Sequence, residues 1–506
     1  MRGVSAAFVV FEGRRMPQSV VQHRVYARYR CGLLPLFAGL VLLPLLGGCF
    51  VGLEKPEAAL DIPNSYTTRV RSPDAALPTP DWWRGFRSNQ LTELIEEALT
   101  SNLDIAAAIA RIVQADAQAR IAGAPLLPNV GLSSGYTRSR SSQSTGTIPQ
   151  TTTGASERNL YNASFTASYE IDFWGKNRAA LLAAQETASA SRFDREVVAL
   201  TTVVSVAGAY FQMVATQDRL RVARENLAAA ERVLKVIQDR FTVGTASQLD
   251  VAQQESLVAS QRAAIPPLLQ TLRQNSATLA ALIGRPPARV TIRSSGMWQI
   301  AIPPVTPGLP SDLLTQRPDI REAEAQLAAV SANVEAARAA FFPSIQLTGQ
   351  GGYQSSILQN LMRPEAMFFS MAAGLTQPIF DGALLQGQFD LQKGKQDELL
   401  QNYRKAVVNA FTDVEKALIA VQQTAEQERL QREVVRSSRR AFEIAETRLR
   451  QGTVDLVTVL QTQQTLFQAL DNLAQVRLAR LQAVVGLFQA LGGGWHPSVE
   501  ELPKNR

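Results

Sequence analysis

The residues from Tyr161 to Phe173 alternate without a break. Odd positions are apolar or aromatic (Tyr161, Ala163, Phe165, Ala167, Tyr169, Ile171, Phe173), and even positions are polar (Asn162, Ser164, Thr166, Ser168, Glu170, Asp172). A period of two places one set on each face of a β-strand. A strand of this length with one apolar and one wet face suits a membrane barrel wall, lipid outside and water inside. Most of the remaining chain carries helical patterning. Membrane-type strands joined to long helices leave few folds open.

The formal charge of +7 would suggest a polyanionic partner. It is concentrated at the N-terminus, where residues 1–48 hold Arg2, Arg14, Arg15, Arg24, Arg28 and Arg30 against one acid, Glu12. Subtracting those from 51 basic and 44 acidic residues leaves 45 and 43, so a nucleic-acid partner is not indicated. The apolar stretch Gly32–Leu46 is too short for a comfortable transmembrane helix and fits the core of a secretory signal. It runs into Leu46-Gly47-Gly48-Cys49, which resembles a bacterial lipoprotein box, so Cys49 is the expected lipid attachment point. The alternative is an ordinary signal peptide with a chance cysteine. Cys31 lies in the leader, and the histidines are His23 and His496, so neither a disulfide nor a histidine metal site is expected.

The chain repeats itself. Asn102–Pro128 resembles Arg317–Pro343 at an offset of 215: Asp104-Ile105 meets Asp319-Ile320, and Pro128 meets Pro343. Farther on, Arg240, Gly244, Thr245 and Gly284 meet Arg448, Gly452, Thr453 and Gly492 at an offset of 208. The difference of seven places an insertion in the first unit, and the Ser/Thr/Gly-rich segment Ser139–Arg158 is its natural site. The expected organisation is a signal peptide at 1–48, an extended lipid-anchored segment at 49–90, repeat 1 at 91–288, a linker at 289–310, repeat 2 at 311–494 and a tail at 495–506. Strands are expected at about 129–139 and 160–173 in the first repeat, and 344–354 and 366–380 in the second.

Each unit reads helix, strand, strand, long helix, helix. The first helix, Leu91–Gly123, is alanine-rich and stopped by Pro125 and Pro128. From Asn177 to Phe241, apolar residues recur at three and four, as in coiled-coil packing, with a slip near Gln217. Such a helix is roughly 95 Å long. The return helix, Ser247–Ile283, carries Pro266-Pro267, where a bend is expected. The second unit's helices are expected at 317–341, 383–450 and 454–491.

Four strands cannot close a transmembrane barrel, and an open edge in lipid leaves unpaired backbone groups. Copies must therefore assemble; two give eight strands and three give twelve. Asp81-Trp82-Trp83-Arg84-Gly85-Phe86, Tyr169–Lys176, Gln316–Glu324 and Ala339–Pro343 resemble the outer-membrane factor family, specifically its NodT/OprM-type RND efflux lipoproteins, with TolC more distant. The resemblance covers about residues 49–494. It implies an α+β membrane protein with a TolC-like fold: a homotrimer sharing one twelve-stranded outer-membrane β-barrel above a long periplasmic α-helical barrel. It further implies a Gram-negative outer-membrane location and a passive exit duct for small molecules. The implied partners are a periplasmic membrane-fusion adaptor and an inner-membrane pump of RND type. A duct for type I protein secretion and a periplasmic coiled-coil scaffold are the alternatives.

No catalytic constellation and no cofactor site is legible beyond the covalent lipid on Cys49; pairs such as Glu96-Glu97 read as solvated helix faces. Function is expected in the wall, the tunnel and a closure at the helix turns. Each unit turns at Arg-x-x-x-Gly-Thr, with glycine supplying the left-handed residue that ends a helix and threonine capping the next one. Gly244, Thr245, Gly452 and Thr453 are the expected adaptor-contact tips, beyond their turn chemistry. Asp455 is the candidate gate, as an acidic ring in the assembly; the competing role is an N-cap. Trp82, Trp83 and Phe86 either anchor the N-terminal segment or fill a core.

Overall fold

A computed structural model describes residues 66, 78–140, 157–289, 296–305, 308 and 310–496. The expected signal peptide, Cys49, loop residues 141–156 and the tail beyond His496 lie outside the described residues. The elements run α1 (Asn89–Ser101), α2 (Leu103–Gly123), β1 (Asn129–Arg140), β2 (Glu157–Ile171), α3 (Lys176–Thr242), α4 (Gln248–Ala263), α5 (Ile265–Leu282), α6 (Leu313–Gln316), α7 (Pro318–Ala339), β3 (Ser344–Ser355), β4 (Met367–Thr376), α8 (Leu384–Arg450) and α9 (Leu456–Ala490). A 3-10 turn over Trp82–Phe86 precedes α1. The fold is mostly helical with a small antiparallel sheet.

The four strands form one sheet in the order β1-β2-β3-β4. Asn129 pairs with Ser168; Ser344, 215 residues beyond Asn129, pairs with Thr376, 208 beyond Ser168. The change of offset therefore falls in the β1–β2 connection. The observed β4 ends at Thr376, short of the expected 380. Pro378 has no N–H to donate, which stops the ladder there.

The long helices α3 and α8 each contain 67 residues, about 100 Å at 1.5 Å per residue. α3 includes one stretch long and apolar enough to cross a bilayer, but half of it is buried among neighbouring helices, which accounts for its composition. Two expected helices are broken in the structure. The helix expected over Leu91–Gly123 splits at Asn102, which takes an extended conformation. Its Oδ1 accepts from the Asp104 and Ile105 amides at 2.8 and 3.0 Å, capping α2. The return helix expected over Ser247–Ile283 splits at Ala264, immediately before Pro266-Pro267.

Asn102 also donates Nδ2 to the Leu282 carbonyl at 2.7 Å. In the second half, Arg317 Nη1 donates to the Ala490 carbonyl at 3.0 Å, at matching offsets. Arg317 further grips Asp319 through Nε (3.0 Å) and Nη2 (2.7 Å), and reaches Asp413 at 3.4 Å. Gly284 and Gly492 follow those carbonyls with φ of +69° and +79°, and a Cβ on either would run into the carbonyl of Ser101 or Gln316. The start of each half is thus latched to its end by the same backbone approach.

The largest core cluster gathers Trp82, Trp83 and Phe86 with α1, the middle of α3 and the end of α9. Trp82 stacks on Phe488 at 4.6 Å, and Phe86, wholly buried, lies 5.0 Å from Phe211. The N-terminal aromatics are core residues that fasten the segment ahead of α1 onto both halves.

Candidate channel wall and turn-end closure

The alternation of β2 extends across the sheet. One face carries Val130, Leu132, Phe165, Leu347, Met371 and Leu375, all exposed. The opposite face carries Ser133, Ser164 and Gln350; Gln350 Nε2 donates to Ser164 Oγ at 3.1 Å, and the two serine hydroxyls are 3.2 Å apart. An apolar outer band and a hydroxyl- and amide-lined inner face are what lipid and water demand of a barrel wall. β1 and β4 each have one pairing neighbour, so both sheet edges carry open backbone groups.

Strands pass rigidly into helices. Asp172 accepts from the Asn177 and Arg178 amides at 2.9 and 2.8 Å, holding the first turn of α3. Asp381 does the same for Ala383 and Leu385 at the head of α8. Trp174 stacks on Phe342 and donates Nε1 to the Pro343 carbonyl at 2.9 Å, tying the two helix–strand junctions together.

At the far end, the two turns are built alike. Gly244 and Gly452 have φ of +79° and +72°. Their amides donate to the Phe241 and Leu449 carbonyls at 3.0 Å, and those of Thr245 and Thr453 donate to the Arg240 and Arg448 carbonyls at 2.8 and 3.0 Å. This is a Schellman closure, and it needs a left-handed residue at the glycine. The threonines do not cap the next helix as expected. Their hydroxyls donate back to the Arg240 and Arg448 carbonyls at 3.1 and 3.2 Å, doubling the seal on the helix just ended. Capping falls to Ser247, in a box with Asp250, and to Asp455, which accepts from the Thr458 amide at 2.8 Å.

Asp455 is exposed, and its hydrogen bonds from Thr458 hold its carboxyl below the usual range. It is therefore ionised as well as capping. Ser247 stands at the matching position of the first turn, where the capping carboxylate is instead Asp250, three residues on. Sequence reasoning missed Arg240, whose Nη1 donates to the Leu449 carbonyl at 2.9 Å and joins one turn to the other. Its signal was present, since Arg240 opens the same motif as Gly244 and Thr245.

Nearer the core, a buried ionic knot went unseen in the sequence. The Glu428 side chain is 1% exposed and is met by Arg432 at 2.5 Å, Arg480 at 2.9 Å and Arg477 at 3.4 Å. Arg477, itself 8% exposed, donates Nη2 to the Ile300 carbonyl at 2.8 Å. Trp298 faces Arg432 and Arg477 at 5.6 and 5.8 Å. This knot fastens the inter-unit linker onto α8 and α9. Burial alone would raise the Glu428 carboxyl, but hydrogen bonds from Arg480 and Arg432 and the charge of Arg477 outweigh it and hold it low. A cleft of about 440 Å³ between α3, α7 and α8 is lined by Asp194, Glu322, Gln326, Asn333 and Lys395. Burial there, with Asp194 and Asp319 adding to it, raises Glu322 to about 7.

The outer membrane efflux protein family model matches the chain in two segments, residues 94–285 and 309–493. The pyoverdine export outer membrane protein OpmQ of Pseudomonas aeruginosa is 38% identical over 461 residues, covering 91% of this chain and 97% of that protein. Its namesake in Pseudomonas putida strain KT2440 is 41% identical over 442 residues, covering 87% and 93%. The crystal structure of the Campylobacter jejuni CmeC outer membrane channel superposes with a TM-score of 0.79 at 25% identity, covering 87% of this chain and 94% of that one. The fold of a small antiparallel sheet joined to helices about 100 Å long is thus shared with an outer-membrane channel over 87% of this chain. The chain belongs to the outer membrane efflux protein family.

Proposed function

We propose that three copies of this chain form the passive exit duct of a tripartite efflux system. A twelve-stranded barrel crosses the outer membrane of a Gram-negative bacterium, and a helical barrel extends it into the periplasm. The observation that carries this reading is the sheet: an apolar outer face, a polar inner face and two open edges, which one chain cannot close. The two halves, roughly 91–288 and 311–494, are read as a duplicated unit. Residues 1–48 serve as the signal peptide, and a lipid on Cys49 anchors the mature N-terminus.

Transport energy comes from an inner-membrane pump of RND type, joined through a periplasmic adaptor. The adaptor meets the turns at Gly244, Thr245, Gly452 and Thr453. Three copies of Asp455 form the acidic ring at which the duct narrows. Export of a pyoverdine-like small molecule is the favoured cargo class, because the OpmQ relatives are named for pyoverdine export. The test is a deletion strain with and without the gene, scored for pyoverdine-type compounds in the medium, susceptibility to dyes, antibiotics and metal ions, and the secreted proteins. Loss of such a compound or of resistance, with an unchanged secretome, supports the small-molecule duct. A missing secreted protein with both others unchanged replaces it with a secretion duct.

A further inference from the structure

Charge is spread unevenly from one end of the sheet to the other. Residues 129–137, 160–168, 345–353 and 367–375, in the body of the four strands, hold no charged side chain. At the end away from the long helices, residues 138–159 and 354–366 carry Arg138, Arg140, Arg158 and Arg363 against Glu157 and Glu365, a balance of +2. At the helix end, residues 169–178 and 376–385 carry Lys176 and Arg178 against Glu170, Asp172 and Asp381, a balance of −1. The register decides which face the basic groups take. Val130, Leu132, Tyr136, Arg138 and Arg140 are all even-numbered on β1, so they share its apolar face. Tyr136 stacks on Tyr161 across the strand pair at 4.7 Å, and its hydroxyl donates to Asn159 Oδ1 at 3.1 Å. Beyond this stack, Arg138 and Arg140 both pair with Glu157, the second at 3.9 Å, and their side chains remain 63% and 67% exposed. One carboxylate is thus divided between two guanidinium groups on the lipid side, whereas Arg158, at the same height, belongs to the polar inner face.

We propose that Arg138 and Arg140 bind a phosphate of the phosphorylated glycolipid that fills the outer leaflet of a Gram-negative outer membrane. In the duct reading the long helices lie in the periplasm, so the opposite end of the sheet faces outward. Depth supports the match. Ten residues separate Tyr161 from Ile171, about 34 Å of strand, or about 26 Å across the bilayer at a tilt near 40°. An apolar band is about 25 Å tall and edged by aromatic rings, so the Tyr136–Tyr161 stack marks its outer rim. Arg138 and Arg140 stand two and four residues farther, about 7 and 13 Å along the strand, in the headgroup layer. A guanidinium there offers parallel N–H donors that match two phosphate oxygens, and it is less strongly hydrated than an ammonium. Charge sets the ligand class: the pair exceeds its carboxylate by one positive charge, and a phosphate neutralises it. Residues 141–156, between the strands, carry no charge to compete.

This inference rests on the duct reading, and the experiment separates the two. The purified protein in detergent is titrated, with EDTA present, against a diglucosamine glycolipid carrying two phosphates, its dephosphorylated form and phosphatidylglycerol, and native mass spectrometry counts the bound lipid. The bisphosphorylated glycolipid is expected to bind at least tenfold more tightly than either of the others. Replacing both arginines, Arg138→Gln with Arg140→Gln, should weaken that binding at least tenfold. Arg158→Gln, at the same height on the inner face, should change it less than twofold. Glu157→Gln releases both guanidinium groups and should tighten it at least threefold, a gain that a poorly folded variant cannot imitate. Equal binding of the dephosphorylated glycolipid overturns the phosphate contact, and equal binding of phosphatidylglycerol overturns the glycolipid. Binding that needs added Mg²⁺ replaces the direct contact with a cation bridged by Glu157. A loss in Arg158→Gln as large as in the double variant moves the site to the tunnel mouth and overturns the lipid face. The wall is read separately in outer-membrane vesicles, where Ser133→Cys should react with a water-soluble maleimide and Leu132→Cys should not. Equal reaction at both overturns the duct reading. Protection of Leu132→Cys without glycolipid binding overturns this inference alone.

Discussion

Replacing Glu428 by Gln removes one charge from a knot of three guanidinium groups while keeping the side chain's size. Arg432 and Arg480 are 53% and 29% exposed and can turn toward water, so their share is discounted. Arg477 cannot, since it is 8% exposed and held by the Ile300 carbonyl. Breaking a buried pair costs about 3–5 kcal/mol, because the surviving charge is left uncompensated. With one of three arginines so committed, the lower end, about 3 kcal/mol, applies. For a unit of this size, at about 2.1 cal/mol/K per residue, that lowers Tm by roughly 3 °C. The assay is the loss of helical circular dichroism on heating the purified protein in detergent. Adding Arg477→Met to Glu428→Gln removes the stranded charge and should recover about 1–2 kcal/mol, a non-additivity that only a coupled pair produces. A Glu428→Gln protein melting within about 1 °C of the parent would refute the reasoning. So would a double variant whose loss equals the sum of the two single losses.

Three further outcomes are expected. Asp455→Ser keeps a capping hydroxyl, as at Ser247, and removes the charge; it should leave the melting curve unchanged and lower the cation preference of single channels in planar bilayers. Asp455→Ala should change both, and equal selectivity in parent and Ser variant would dismiss the acidic ring. Gly284→Ala forces a left-handed alanine against the Ser101 carbonyl and should cost about 2–5 kcal/mol, against about 1 kcal/mol for Gly244→Ala, where a Cβ meets open space; thermal melts of the pair decide it. Glu322 has its folded pKa raised to about 7 above an ordinary value near 4.5, so its contribution is favourable at low pH and is lost as pH rises from about 4.5 to 7. Glu322→Gln should therefore raise Tm at pH 8 and flatten the difference in Tm between pH 5 and pH 8; an unaltered pH profile would contradict the shift.

The wall was legible because β2 alternates without interruption, and period two is a direct imprint of a strand between two solvents. β3 was fainter because glycines stand at 349, 351 and 352; close strand approach demands the last, where a Cβ would collide with the Ala163 carbonyl and the Ser164 Cα, whereas at Gly349 a Cβ would meet open space. The helix breaks at Asn102 and Ala264 were partly written. Pro266-Pro267 announced the second, but Asn102 read as one more polar residue because its partners, the two following amides and Leu282, are a matter of geometry. Thr245 illustrates a direction that sequence does not carry, since the same hydroxyl can seal the helix behind it or cap the one ahead. The Glu428 knot was illegible altogether. Arg432, Arg477 and Arg480 each resemble a solvated helix face, and only their convergence from α8 and α9 on one carboxylate distinguishes them.

The return paths of the two halves are matched in length and unlike in build. α4 and α5 together run from Gln248 to Leu282, and α9 runs from Leu456 to Ala490, each end displaced by the same 208 residues. The first is jointed at Ala264, ahead of two prolines that have no amide to bridge the gap; at the corresponding place the second carries Asn472, Ala474 and Gln475 in unbroken helix. Mechanically these are two struts of equal reach and unequal stiffness, both packed along α3, the unbroken one along α8 as well. A torque arriving at the turns would bend the first strut at its joint and turn the second as a unit. In the trimer proposed above, equal pulls on the six turns would thus displace them in two alternating sets of three, the jointed set giving way first.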